Sequence, residues 1–209
     1  MLGFDYGESA TFYRPGGELA MTLGASGGMT RSIVLIGLMG AGKSCIGRRL
    51  GARLGMSFID ADHEIEQAAG CSIAEIFERH GEAAFRDGER RVIARLLDDK
   101  PHVLATGGGA FMDTRTRTLI RERAISVWLR ADLDLLMRRV SRRNDRPLLH
   151  VAEPRQKLAE LMAQRHPFYA EADITVDSAD GPPEATLERV IAALDHFLKS
   201  APARQRAAS

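Results

Sequence analysis

The octapeptide Gly37-Leu-Met-Gly-Ala-Gly-Lys-Ser44 satisfies G-x-x-x-x-G-K-[ST] at every defined position. An apolar run, Ser32–Ile36, precedes it, and a helical pattern begins at Lys43. Few folds place a strand, a glycine-rich loop and a helix in that order without using the loop to hold phosphate. Glycines at 37, 40 and 42 let the backbone curl until successive N–H groups point inward at phosphate oxygens. The helix that follows adds the partial positive charge of its N-terminus. Lys43 reaches the β- and γ-phosphates, and Ser44 offers its hydroxyl to Mg²⁺. Residue usage alone supplies such a match in roughly one in 100 chains of this size, and the flanking pattern makes a glycine-rich turn that binds nothing rarer still. Gly40, Ala41, Gly42, Lys43, Ser44 and Cys45 are therefore the expected contacts to the nucleotide, ATP. Cys45 stands where a threonine commonly follows the motif. A thiol is a weak donor, so the backbone N–H is expected to carry the phosphate contact there.

Short apolar runs alternate with longer helical patterns along the rest of the chain. Strands are expected at Ile33–Ile36, Ser57–Asp60, Val103–Ala105, Ile125–Leu129 and Ile174–Val176. The clearest helices are Lys43–Leu54, Glu82–Leu97, Leu133–Val140 and Glu184–Leu198. Such alternation implies right-handed crossovers and a parallel sheet covered on both faces. The predicted fold is α/β, in three layers, with a central five-stranded parallel sheet flanked by helices. Residues 1–28, rich in Gly, Ser and Thr and without a sustained period, are expected to form a flexible extension. Residues 29–200 form one P-loop domain, and 201–209 a disordered tail.

Phe58-Ile-Asp60-Ala-Asp62 puts two carboxylates where the second strand ends, at the sheet edge that faces the ligand crevice in open α/β folds. Asp60 is suited to orient Mg²⁺ through water, because that ion dehydrates reluctantly. Asp62 has two readings: an acceptor for the proton or hydrogen bond of an attacking hydroxyl, or the N-cap of a helix over Asp62–Ala69. Gly107-Gly108-Gly109 follows the third strand and either lets backbone approach a ligand closely or makes a tight connection. Arg86 alone reads as a solvated helical residue. Paired with Arg165 it can hold a carboxylate, since a guanidinium fork matches the two oxygens. His166 reads as a surface residue beside a helix-ending proline.

Five arginines crowd positions 138–146, too many for a stable helix end. No aromatic residues interleave them, and Lys plus Arg (29) nearly balance Asp plus Glu (28), which weighs against nucleic acid as a partner. A mobile basic lid over about 140–155 accounts for them better, closing over ATP and supplying an arginine to the transferring group. Arg146, just before the turn-setting Pro147, is the expected finger, and Arg139 is expected near the adenine. The two cysteines, Cys45 and Cys71, make neither a metal nor a disulfide pattern. No apolar run reaches the length of a membrane span, and Asp5 and Glu8 stand where a leader would be basic. Cytoplasm is the expected compartment, with no membrane partner.

Taken in order, these segments resemble the shikimate kinase family from about residue 30 to 199. They are Gly37–Ser44, Phe58-x-Asp60-x-Asp62, Phe85-Arg86, the glycine triplet, Arg146-Pro147-Leu148-Leu149, and Arg165-x-Pro167-x-Tyr169 before Ala172-Asp173. The loop alone says only that a nucleotide binds; Asp62, Arg86, the triplet and Arg165 single out this family among P-loop kinases. The resemblance implies a nucleoside-monophosphate-kinase-like fold with a mobile lid, and transfer of the γ-phosphate of ATP to the 3-hydroxyl of shikimate. It implies Asp62, Arg86, Gly108 and Arg165 as substrate-binding residues, Ser44 and Asp60 as the Mg²⁺ residues, and Lys43, Asp62 and Arg146 as the catalytic set. It also implies a monomeric cytoplasmic enzyme on the route to chorismate and the aromatic amino acids. The chain departs from the family at Cys45, and at Ser178–Pro183, which lacks the basic residue often found in the adenine-contacting loop. Two rivals stand beside it. A kinase of another polyol acid, such as gluconate, leaves Arg86, the triplet and Arg165 unexplained. A nucleotide-binding module without catalysis is opposed by the intact Lys43, Ser44, Asp60 and Asp62.

Overall fold

The computed structural model describes residues 29–141, 153–178 and 180–200. Five strands, β1 (Ser32–Ile36), β2 (Phe58–Asp60), β3 (Val103–Ala105), β4 (Ala124–Arg130) and β5 (Ile174–Asp177), make one sheet in the order β2-β3-β1-β4-β5. Every neighbouring pair is parallel. All five residues of β1 are buried, the unbroken apolar run of a strand with helices on both faces. Parallel neighbours need crossovers, and six helices supply them: α1 (Lys43–Leu54), α2 (Ala61–Ala69), α3 (Ile73–Leu97), α4 (Thr114–Arg123), α5 (Leu133–Val140) and α6 (Pro154–Tyr169); α7 (Pro183–Ser200) follows the last strand. Among the described residues no helix is long and apolar enough to cross a membrane.

Register decides where the loops emerge. Leu35 of β1 pairs with Ala105 of β3, and Ala105 pairs in turn with Asp60 of β2. The phosphate loop, the glycine triplet and the acid pair therefore leave the sheet side by side. This is also where the chain switches from one side of β1 to the other, the place at which open α/β sheets bind ligands.

The expected strands lie within one residue of the observed ones at either end. The expected helix Glu82–Leu97 is the second limb of α3, which starts at Ile73 behind a reciprocal capping box of Ser72 and Glu75. Gly81, at φ 76° and ψ 175°, kinks it where the first limb ends. Arg138 and Arg139 lie inside the last turn of α5, so the arginine-rich run does not exclude helix at its start; cations suit a helix C-terminus. The lid expected over about 140–155 overlaps Val140 of α5 and Pro154 and Arg155 of α6, and its middle, with Arg146, lies outside the described residues. Pro167 does not end its helix but sits inside the last turn of α6.

Candidate active site

The phosphate loop is built as its glycines require. Gly37, Gly40 and Gly42 all have positive φ (139°, 82° and 97°), conformations that residues with a Cβ rarely adopt. Gly42 is the N-cap of α1 and contributes no side-chain cap, which leaves the first N–H groups of that helix available to a ligand. Lys43 Nζ donates to the carbonyls of Gly37 (2.7 Å) and Leu38 (3.1 Å), so its charge sits over the loop. Ser44 Oγ donates to Asp60 Oδ2 at 2.8 Å, joining the two groups suited to a hard cation. Arg139 lies beneath the loop, donating to Ser178 Oγ (2.8 Å) and more weakly to Gly40 O (3.4 Å). The Cys45 thiol accepts from Arg49 Nη1 at 3.0 Å.

Asp60, not Asp62, caps α2: Asp60 Oδ1 accepts from the backbone N–H of Asp62 at 3.2 Å. The reading of Asp62 as an N-cap is thereby overturned. Its carboxylate turns instead toward the glycine triplet, whose three members seat four charged groups between them. A Cβ on Gly107 would stand 2.7 Å from Asp62 Oδ1 and 3.1 Å from Glu89 Oε1. On Gly108 it would meet Arg165 Nη1 at 3.1 Å and the carbonyl oxygen of Gly37 at 3.5 Å. On Gly109 it would lie only 2.3–2.6 Å from the Arg86 guanidinium. The triplet is thus a platform made bare by close approach. Arg165 and the phosphate loop meet at Gly108, one residue from the seat of Arg86.

Glu89 completes the cluster. It is only 2% exposed, and its Oε2 takes the Arg86 Nη1 hydrogen bond at 2.6 Å. Arg86 also reaches Glu82 at 3.3 Å, so it is neither free nor a solvated face residue. Burial pushes the Glu89 carboxyl above its ordinary range; Arg86 opposes this, while the charges of Asp62 and Asp113 reinforce it. Tyr169 is fully buried, donates its hydroxyl to the Gly108 carbonyl, and has its pKa pushed up to about 12 by that burial, so it stays a donor. His166 is half-buried with its ring edge-on to Trp128, 4.9 Å between centroids, and burial lowers its pKa. It packs against the core and does not join the cluster.

Of the residues singled out from sequence, Gly40, Ala41, Gly42, Lys43, Ser44, Cys45, Asp60, Asp62, Arg86, Gly108, Arg139 and Arg165 all lie along one edge of the sheet and the helices beside it. Glu89 was not singled out, and Tyr169 entered only as a motif position without a role. A signal for Glu89 exists: Phe85, Glu89, Val92, Ile93 and Leu96 share one apolar stripe of α3, so a glutamate there is buried and must be paired.

A phosphate loop whose neighbours are a carboxylate and two guanidinium groups belongs to the P-loop kinases of small molecules. Comparison with known proteins narrows the class. The shikimate kinase family model matches residues 39–195. The shikimate kinase of Paramagnetospirillum magneticum is 60% identical over 173 residues, covering 83% of this chain and 89% of that protein. That of Rhodopseudomonas palustris is 59% identical, covering 82% and 85%. The structure of Acinetobacter baumannii shikimate kinase in complex with shikimate superposes with a TM-score of 0.76, at 39% identity, over 80% of this chain and 94% of that one. The chain belongs to the shikimate kinase family.

Proposed function

We propose that this chain transfers the γ-phosphate of ATP to the 3-hydroxyl of shikimate, giving 3-phosphoshikimate and ADP. The observation that carries the reading is the meeting of Arg165 with the phosphate loop at Gly108, beside Arg86 at Gly109. An organic carboxylate gripped by the two guanidinium forks then lies within one small molecule's reach of a triphosphate held by Lys43. Asp62, at the Gly107 end of the platform, accepts the hydrogen bond of the attacking hydroxyl and aims it. Phosphoryl transfer asks mainly for alignment and charge neutralisation. Lys43 carries the second task, with Arg146 supplied from the lid.

The Ser44–Asp60 oxygens suit Mg²⁺ in ligand type. Among the described residues no group of three His, Cys, Asp or Glu is placed to hold a metal; a cation held by Ser44 and Asp60 would be shared with phosphate and water oxygens. When bound, Mg²⁺ neutralises charge on the β- and γ-oxygens. Monomeric operation in the cytoplasm belongs to the same proposal and rests on the family likeness.

A coupled ADP-release assay, run with shikimate and with gluconate, tests the reading. Turnover is expected with shikimate alone. Turnover with gluconate, or with neither acid, would refute it. In the same assay Arg86→Ala should raise KM for shikimate far more than KM for ATP.

A further inference from the structure

α6 carries Arg165, and the loop after β3 carries the platform on which Arg165 and Arg86 rest. Two buried side chains tie these segments together, and neither has a role in the transfer proposed above. The Tyr169 hydroxyl, at the C-terminal end of α6, donates to the carbonyl of Gly108. Its ring packs against Trp128, with centroids 5.8 Å apart, and its hydroxyl would stand 3.6 Å from a Cβ on Gly108. Arg117 of α4, only 9% exposed, donates Nη1 to the carbonyls of Phe111 (3.0 Å) and Met112 (2.9 Å), in the short turn directly after the platform. Its Nε pairs with Glu171 at 3.3 Å, two residues beyond Tyr169, and its guanidinium covers the Phe168 ring at 4.9 Å. The ion pair with Glu171 and the ring of Phe168 belong to the α6 end; the two carbonyls belong to the platform.

We propose that Tyr169 and Arg117 are positioning residues: they clasp the end of α6 to the glycine platform and so set the separation of the Arg165 and Arg86 guanidinium groups. The clasp acts through the arginines, and it rests on the reading that those two arginines hold the substrate's carboxylate. Two facts make it more than general packing. The Tyr169 hydroxyl bonds the same glycine at which Arg165 is seated. Arg117 gives Nη1 to the platform turn and Nε to the helix end, while Nη2 turns back to Thr114 Oγ1 at 3.4 Å.

Steady-state kinetics on Tyr169→Phe, Arg117→Lys, their double variant and Arg165→Ala test it. Tyr169→Phe keeps the ring and removes the hydroxyl that bonds Gly108 and faces Arg165, so KM for shikimate should rise roughly 2- to 10-fold. Over the same change kcat and KM for ATP should stay within about 2-fold, a split that a merely structural role would not produce. Arg117→Lys keeps the charge facing Glu171 but loses the fork; it should raise the same KM and combine less than additively with Tyr169→Phe. A normal shikimate KM in both single variants, or an equal rise in both substrates' KM, overturns the clasp. If Arg165→Ala raises shikimate KM while Tyr169→Phe and Arg117→Lys do not, the carboxylate reading survives and the clasp alone fails. If Arg165→Ala leaves shikimate KM unchanged, both fall.

Discussion

Replacing Gly109 by alanine isolates what the platform does. Its backbone, at φ −97° and ψ −17°, accepts any residue, so the substitution brings no conformational strain. The new Cβ would sit 2.3–2.6 Å from the Arg86 guanidinium. Ordinary carbon contacts begin near ~3.5 Å, so the guanidinium must retreat by about 1 Å or more. It can do so because it ends a flexible side chain, which protects the fold. On the proposed reading, Arg86 moved that far forfeits its charge-assisted bonds to the substrate carboxylate, a loss of about 1.5–3 kcal/mol. That corresponds to roughly a 10- to 150-fold rise in KM for shikimate, with KM for ATP changed by less than about 2-fold. Gly88→Ala is the matched control. It lies in the same helix as Arg86, where an added Cβ meets nothing within 4 Å. It should leave both KM values alone and stabilise α3 by up to about 1 kcal/mol. The assay is ADP release with each substrate varied in turn while the other is saturating, with thermal unfolding alongside. A Gly109→Ala protein that melts normally and keeps a wild-type shikimate KM refutes the reasoning.

Lys43→Met should lower turnover by roughly 10²-fold or more, at some cost in melting temperature because the Gly37 and Leu38 carbonyls that lose its bonds belong to buried residues; near-normal turnover would remove the loop from the mechanism. For Glu89, folding raises the carboxyl's affinity for a proton above the ordinary 4.5. Its contribution to stability is therefore fullest below that value and falls as pH rises toward the folded-state pKa. Glu89→Gln should remove this downward slope from unfolding free energies measured between about pH 4 and 8; parallel pH profiles for the two proteins would contradict it. Cys45→Thr restores a hydroxyl donor, so KM for ATP should fall roughly 2- to 10-fold with shikimate kinetics unchanged, and a raised KM for ATP would show the thiol to be the better partner.

How much of this was legible in the chain follows from how local each signal is. The phosphate loop, the five strands and the aspartate pair are read from contiguous residues, and the structure keeps them nearly to the residue. α4 is harder: Thr114-Arg-Thr-Arg-Thr118 alternates in two-residue steps, and only Thr116, Arg117 and Ile120 face inward. α6 offers few apolar anchors, with Leu158, Leu161 and Tyr169 buried. The first limb of α3 announces itself only through Ser72 and Glu75. Glu89 and Arg117 escaped because a charged residue on a helix normally faces water. Both are buried by segments distant in sequence, and only the assembled platform shows what pairs them. Asp62 had two open readings until the cap was seen to belong to Asp60, a difference of two residues at a strand end.

The most direct measurement is a crystal structure of this chain with ADP, Mg²⁺ and shikimate. The account predicts the shikimate carboxylate between Arg86 and Arg165 over Gly108, with a ring hydroxyl on Asp62 turned toward the phosphate loop. A carboxylate bound away from both arginines, or a ring whose hydroxyls all face away from Lys43, would contradict it.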